Sequence, residues 1–463
     1  MELTFRETLQ RGLGRCYTLM EDSIKNNNGV EKYREDIIWG LKNRLAYDPQ
    51  SEGVRSLQLY ELISFFEDKS DFFDIMEKCI NGKTDSEIFQ RCCEILAFFS
   101  CDGYEDAKKI LKESYITLYN KLLRKRKMTI PFIEGENFEF LCLSLVTHSK
   151  NISESIKIYF DIARDIGKLY IKNKLFSDYL FYWFEDEAKE KIGEKRLLDI
   201  MERERQSDDE LTAYINSFKS NEDMSKNKND REIKAEEIYE ELKKGGDSVD
   251  FFRMYFVRFV KIGNTEEIEK LAEYYYIEKD ENVRISILKL FSLCRGDAAK
   301  YLNKEKLFND AKSENRELKN SALEVLTYIK GRDVRRFALG YKRNKESIPY
   351  IIGMLAKNYN DKDREIFIGM VKSVYVSYDS DSHWVFRNII KMFEDKSIRR
   401  PPKEILYYIY ENELCPCCRF SLVRIMIRRH IVDESILREC LYDCNDDIRD
   451  YAKKIIKKRK MKK

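Results

Sequence analysis

Residues 415–430 read CPCCRFSLVRIMIRRH and place Cys415, Cys417, Cys418 and His430 in one short stretch. Thiolates and imidazole are ligands that zinc prefers, and a cysteine at a helix start is a candidate reactive thiol. A structural zinc site ordinarily takes cysteines two to four residues apart, followed by a second pair. Here the intervals between neighbouring cysteines are one residue and none. His430 lies twelve positions past Cys418, about 18 Å along a continuous helix, so the two cannot hold one ion while that helix persists. Cys440 and Cys444, four apart, are further ligand candidates in the next element. Pro416 suits the first turn of a helix, and Cys418 falls on an apolar stripe. A helix cap running into a buried face is therefore the expectation, with a metal site and a reactive thiol as alternatives.

Other candidate chemistry is thinner. RGLGR, 11–15, has two glycines but neither the preceding strand nor the following Lys-Ser or Lys-Thr of a phosphate loop. In AYDPQSEGVR, 46–55, Asp48-Pro49 opens a turn and Gly53 ends it, as in a loop between two helices; a ligand-contacting loop is the sharper alternative. His148, His383 and His430 are dispersed and sit in no triad pattern, and no pair stands out among the 82 Asp and Glu. No catalytic, cofactor-binding or metal-ligating residue is assigned on these patterns, no cofactor is implied, and a non-catalytic chain is expected. Basic residues are dense in LLRKRK, 122–127, and in KKIIKKRKMKK, 453–463. Lys453, Lys454, Lys457, Lys458, Arg459 and Lys460, with Arg424, Arg428 and Arg429 one unit earlier, form the candidate polyanion-binding set. The plainer account of the tail is a solvated last helix whose C-terminus favours cations.

Helices must position all of these residues. Val283, Ile287, Leu290 and Phe291 sit at i, i+4, i+7 and i+8, one stripe of a 3.6-residue period. The template recurs from Phe252, Leu318, Ile348, Val385, Cys418 and Ile448, at intervals of 30 to 37 residues. Such a unit has room for two helices and two turns but cannot bury its own apolar face, so it must stack on its neighbours. Segments between the stripes, such as TEEIEKLAEYYYIEKD and DESILRECLYDC, are the expected outer helices. EKDEN, AKSEN and DCNDD supply the Asp and Asn that cap helix starts. Stripes from Ile88 and Phe138 are 50 residues apart, so the N-terminal half is less regular. SFKSNEDMSKNKNDREIKAEE, 217–237, is polar and reads as linker or surface loop.

Composition agrees. The chain has 463 residues, 43% hydrophobic and 36% charged, with only 6 Pro and 18 Gly, which favours helix throughout. The N-terminal MELTFRETLQRGLGR is polar, and the most apolar run, FLCLSLV at 140–146, is far below the roughly 18 residues of a membrane span. A cytoplasmic protein with no membrane contact and mostly free thiols is expected. The formal net charge of +3 is uneven: residues 331–463 carry +11 and the rest −8. A basic end raises the expectation of an anionic partner.

DENVRISILKLFSL and NDDIRDYAKKII resemble the second helix of a HEAT repeat: an acid, an apolar residue, an arginine, then apolar residues at helical spacing. PCCRFSLVRIM keeps Arg419, and ENRELKNSALEVL has Lys319 in its place. The resemblance covers the last 210 residues or so well and the first 200 loosely; the unit is shorter than usual, and the 348 and 385 units lack the Val-Arg pair. It implies that Arg284, Arg419 and Arg449 bond to an acid of the same or the next repeat. It further implies an all-α α-solenoid of stacked antiparallel helix pairs, irregular in its N-terminal half and more regular in its C-terminal half. The expected division is an N-terminal helical lobe at 1–203, a linker or long surface loop at 204–236, and a repeat lobe at 237–463. A scaffold binding a macromolecule on its concave face, with a protein as first partner, follows from that architecture. Nucleic-acid binding by the basic C-terminal lobe is the alternative. A third is a DNA-modifying or lyase enzyme of HEAT-like fold, with Tyr375, Asp379 and Trp384 near the basic lobe.

Overall fold

The structure is a computed structural model and describes all residues except 1–2, 49–51, 125–131, 150, 174–181, 205–207, 220–233, 245–247, 294–298, 342–344, 375, 377–381, 395–397, 399–400 and 462–463. The described residues form 26 α-helices joined by turns and short 3-10 segments, with no strand among them. None of those helices is long and apolar enough to cross a membrane. Tyr375 and Asp379, part of LLRKRK, and most of the polar segment 217–237 lie outside the described residues.

The chain divides into two compact units, residues 1–228 with 432–463, and residues 229–431. The first holds α1 (Phe5–Gln10), α2 (Arg15–Lys25), α3 (Arg34–Lys42), α4 (Ser56–Ile63), α5 (Ser70–Asn81), α6 (Ser86–Cys101), α7 (Glu105–Arg124), α8 (Phe132–Thr147), α9 (Ile152–Asn173), α10 (Tyr182–Ile192), α11 (Glu194–Glu204) and α12 (Asp209–Lys219). The second holds α13 (Ala235–Lys243), α14 (Ser248–Ile262), α15 (Thr265–Ile277), α16 (Glu281–Leu293), α17 (Lys304–Asp310), α18 (Arg316–Leu326), α19 (Arg332–Gly340), α20 (Ile348–Lys357), α21 (Arg364–Lys372), α22 (Ser382–Glu394), α23 (Lys403–Asn412) and α24 (Pro416–Arg428). The last helices, α25 (Glu434–Glu439) and α26 (Asp446–Lys460), return to the first unit.

Three of the apolar stripes in the second unit are fully buried faces. Val283, Ile287, Leu290 and Phe291 are shielded from solvent on α16, as are Leu318, Ala322, Val325 and Leu326 on α18 and Val385, Ile389, Met392 and Phe393 on α22. The caps fall where the short polar junctions placed them. Asn315 Oδ1 accepts from the Glu317 and Leu318 amides, Asn445 Oδ1 from Ile448, and Asp280 Oδ1 from Asn282. Each satisfies a donor that a helix start leaves unpaired.

In the first unit, Phe5 to Leu111 with Leu141 bury one apolar cluster and Leu122 to Tyr214 a second. Leu211 and Tyr214 of α12 are buried in that second cluster, so residues 209–219, expected within the linker at 204–236, are a packed helix instead. Leu211 and Tyr214 dock one face of this helix on α9.

Residues 432–463, expected in the lobe at 237–463, also belong to the first unit. Arg438 pairs with Glu21 and Asp22, Arg15 Nε donates to Glu439 Oε1 at 2.8 Å, and Tyr17 stacks on Tyr442 at 3.7 Å. Arg449 bonds Glu61 through both terminal nitrogens at 2.6 and 2.9 Å. RGLGR supplies the close fit. The Cys444 amide donates to Gly12 O at 3.0 Å, and a Cβ on Gly14 would lie 1.9 Å from Glu439 O. Gly14 has an ordinary helical φ of −66°, so the approach of the backbone, not conformation, demands glycine there. Gly14→Ala is expected to loosen residues 434–452 and cost about 1–3 kcal/mol, as overpacking does. Hydrogen exchange of that segment, compared with wild type, measures it; unchanged protection would refute the close fit.

Candidate functional site

Two places in the second unit gather functional side chains. The larger is an open cleft of about 1020 Å³. It lies where the C-terminal ends of α16, α18 and α20 meet the start of α19 and one face of α22, with Arg253 of α14 reaching in. Asn358 fixes the rim: its Oδ1 accepts from the Gly331 amide at 2.8 Å and its Nδ2 donates to Ile329 O at 3.1 Å, which ties the turn after α18 to the end of α20. Arg335 is held bidentately by the buried Asp363, at 2.7 Å for both bonds, so α19 is anchored to the start of α21.

The cleft is strongly cationic. Eight Lys and Arg line it against a single acid, Glu324. Among the described residues, Arg253, Lys330, Arg332, Arg336, Lys357 and Arg387 form no ion pair. Helix C-termini carry partial negative charge, and Lys357 in the last turn of α20 offsets one such end. Arg332 and Arg336 sit at and near the start of α19 and Arg387 lies mid-helix in α22, where no helix C-terminus attracts a cation. Tyr328, Tyr359 and Trp384 add aromatic surface to the lining. Trp384 packs edge-on against Tyr350, and the Tyr359 hydroxyl is buried without a hydrogen-bond partner among the described residues.

The second place is at Cys415. Cys415 is the N-cap of α24 and Pro416 occupies its first turn, as expected. The helix cap is thus as the sequence suggests, but Cys418 is only partly buried, unlike Val283 and Ile448 at the equivalent stripe positions. It faces Cys415 and His383, and ligand atoms of these three residues lie within 4.8 Å of one another. Glu413, fully buried, completes the group. Its Oε1 lies 3.1 Å from His383 Nδ1 and accepts from the Cys415 amide at 2.9 Å, while Oε2 has no partner among the described residues. Arg419, also fully buried, donates to Glu413 O at 2.9 Å. The contact with Cys418 lowers the Cys415 thiol to about 6, helped by the charge of His383, and the same contact pushes Cys418 up. The Glu413 carboxylate raises His383 above the usual imidazole range.

The nine basic residues singled out in the sequence do not form one set in one unit. Arg424, Arg428 and Arg429 belong to the second unit; Lys453, Lys454, Lys457, Lys458, Arg459 and Lys460 lie on α26 in the first. Lys453 pairs with Asp450 and Arg459 with Glu434, and Arg424 lies over the Phe420 ring. Lys454, Lys457, Lys458 and Lys460 are exposed. The histidine that joins the thiols is His383, not His430, and Cys440 and Cys444 belong to the other unit. Of the arginines in the repeat pattern, Arg284 bonds Asp310 at 2.5 Å, Arg419 a backbone carbonyl, and Arg449 an acid of α4.

The chain matches no protein-family profile and no curated protein. A crystal structure of an engineered protein aligns over 91% of this chain and 98% of its own, with 12% identity and a TM-score of 0.18, a likeness too distant to carry an argument.

Proposed function

We propose that this chain is a non-catalytic helical-repeat protein that binds nucleic acid in the basic cleft of its second unit. The observation that carries the proposal is the set of six cations around one concave opening without ion-pair partners among the described residues. Unpaired like charges repel one another, and a polyanion relieves that repulsion while releasing condensed counterions. Aromatic rings between the cations favour nucleic acid over other polyanions, because bases stack on them.

An α-solenoid of HEAT-like pairs accounts for the cleft. Packing of α14 on α16, α16 on α18, α18 on α20, α20 on α22 and α22 on α24 supports that architecture for the second unit. So do the buried stripes and the Arg284–Asp310 bond. Equivalent helix ends then recur along one side, where they sum a weak charge per repeat into a strong field.

Fluorescence anisotropy with a labelled oligonucleotide tests the proposal. With about five phosphates neutralised, the slope of log K against log salt is about −4.5, a loss of roughly 500-fold between about 50 and 200 mM salt. A salt-insensitive affinity counts against nucleic acid. Retention of a protein from the native host after nuclease treatment, with no oligonucleotide binding, would replace it by the protein partner that repeat architecture alone favours.

A further inference from the structure

We propose that His383, Cys415 and Cys418, with Glu413, form a binding site for a zinc-class divalent cation that joins α22 to α24. Two sulfurs and an imidazole nitrogen within 4.8 Å of one another are a soft donor set, which selects zinc over magnesium or calcium. The second observation is Glu413. A carboxylate with no solvent exposure and one oxygen without a partner among the described residues is costly to bury, and a cation beside it reduces the cost. Its Oε1, at His383 Nδ1, takes the orienting role that carboxylates play behind metal-bound histidines and leaves Nε2 to face the ion; Glu413 itself is not among the clustered ligands.

The surroundings suit the charge. Two thiolates and a carboxylate carry three negative charges against two on the ion. The start of α24 lies beneath Cys415, and Arg387, one turn along α22 from His383, bears on both His383 and Cys418; both offset the remainder. Arg419 holds the Glu413 backbone from below. Cys417, exposed on the next position, points elsewhere in the sense that it is not among the clustered ligands, and it serves as the internal control. Binding is simple coordination: the cysteine protons leave to solvent as the two Zn–S bonds form, and no oxidant is required. The inference is independent of nucleic-acid binding, since it rests on no cleft cation other than Arg387.

Full-length protein purified under reducing conditions and stripped with a chelator is titrated with zinc against a chromophoric competitor. One tightly held equivalent per chain is expected, lost in the Cys415→Ser/Cys418→Ser double variant and retained in Cys417→Ser. Glu413→Gln is expected to weaken binding by about 10–100-fold. Should the double variant fail to fold, cobalt substitution of the wild-type chain decides, by the presence or absence of a thiolate-to-cobalt charge-transfer band. Failure to take up one equivalent, or uptake that survives the double variant, overturns the site. Loss of two free thiols to a Cys415–Cys418 disulfide, without metal in the reduced protein, overturns it in favour of a redox pair.

Discussion

Reversing three charges, Arg332→Glu, Arg336→Glu and Lys357→Glu, is expected to abolish oligonucleotide binding, with affinity falling roughly 10³-fold or more near 0.1 M salt. All three side chains are exposed and none forms an ion pair among the described residues, so the folded state loses only the favourable placing of Lys357 at the end of α20, less than about 1 kcal/mol. The salt slope should fall by about three, one for each phosphate contact removed. Circular dichroism checks that the helices persist. The comparison that discriminates is a second triple variant, Lys454→Glu, Lys457→Glu and Lys458→Glu, on the exposed face of α26. If that variant abolishes binding and the cleft variant does not, the interface is the C-terminal helix and the cleft has another purpose.

Arg91→Met is expected to destabilise the first unit by about 3–5 kcal/mol, the cost of leaving a buried ionic network half made. Arg91 is completely buried on α6. It donates to Val54 O at 2.7 Å, Gly40 O at 2.8 Å and Asn43 O at 2.6 Å, and pairs with Glu87. Burial pushes its guanidinium below the ordinary arginine value, and the Glu87 carboxylate opposes that shift. The substitution keeps the volume but strands three carbonyls and a carboxylate whose remaining donors are the Leu45 and Ala46 amides. Arg91→Lys should rescue little, because one ammonium cannot span those directions as a planar guanidinium does. Since whole domains are stable by only about 5–15 kcal/mol, the urea midpoint should drop sharply. Hydrogen exchange resolved over α3 and α6 assigns the loss to this unit; a midpoint within error of wild type would dispose of the network's role.

Arg91 also shows where sequence reading stops. In IFQRCCEIL it looks like any surface arginine on a helix, and its burial comes with its bonds to carbonyls of Gly40, Asn43 and Val54, far away in the sequence. The loop at 46–55 was legible as a connection between helices, and Arg55 within it proves to be a buried donor to Leu9 O and Gln10 O. The cluster at Cys415 was half legible. Cys415 and Cys418 are three apart, a C-x-x-C interval hidden by Cys417 between them. His383 and Cys415 each precede the first residue of an apolar stripe, Val385 and Cys418, in successive units. Both therefore sit at the starts of α22 and α24, two helices that pack on each other, and only that packing brings them together.

Helical content, the buried stripes of α16, α18 and α22 and several helix caps follow from the sequence alone, because they depend on residues within one or two turns of each other. Which helix ends meet depends on contacts between segments that periodicity leaves unspecified. The gathering of Arg332, Lys357 and Arg387 around one cleft is such a case, as is the approach of His383 to two thiols. So is the return of residues 432–463 to the first unit, where Gly14 leaves room for a backbone that a repeat count would have placed elsewhere.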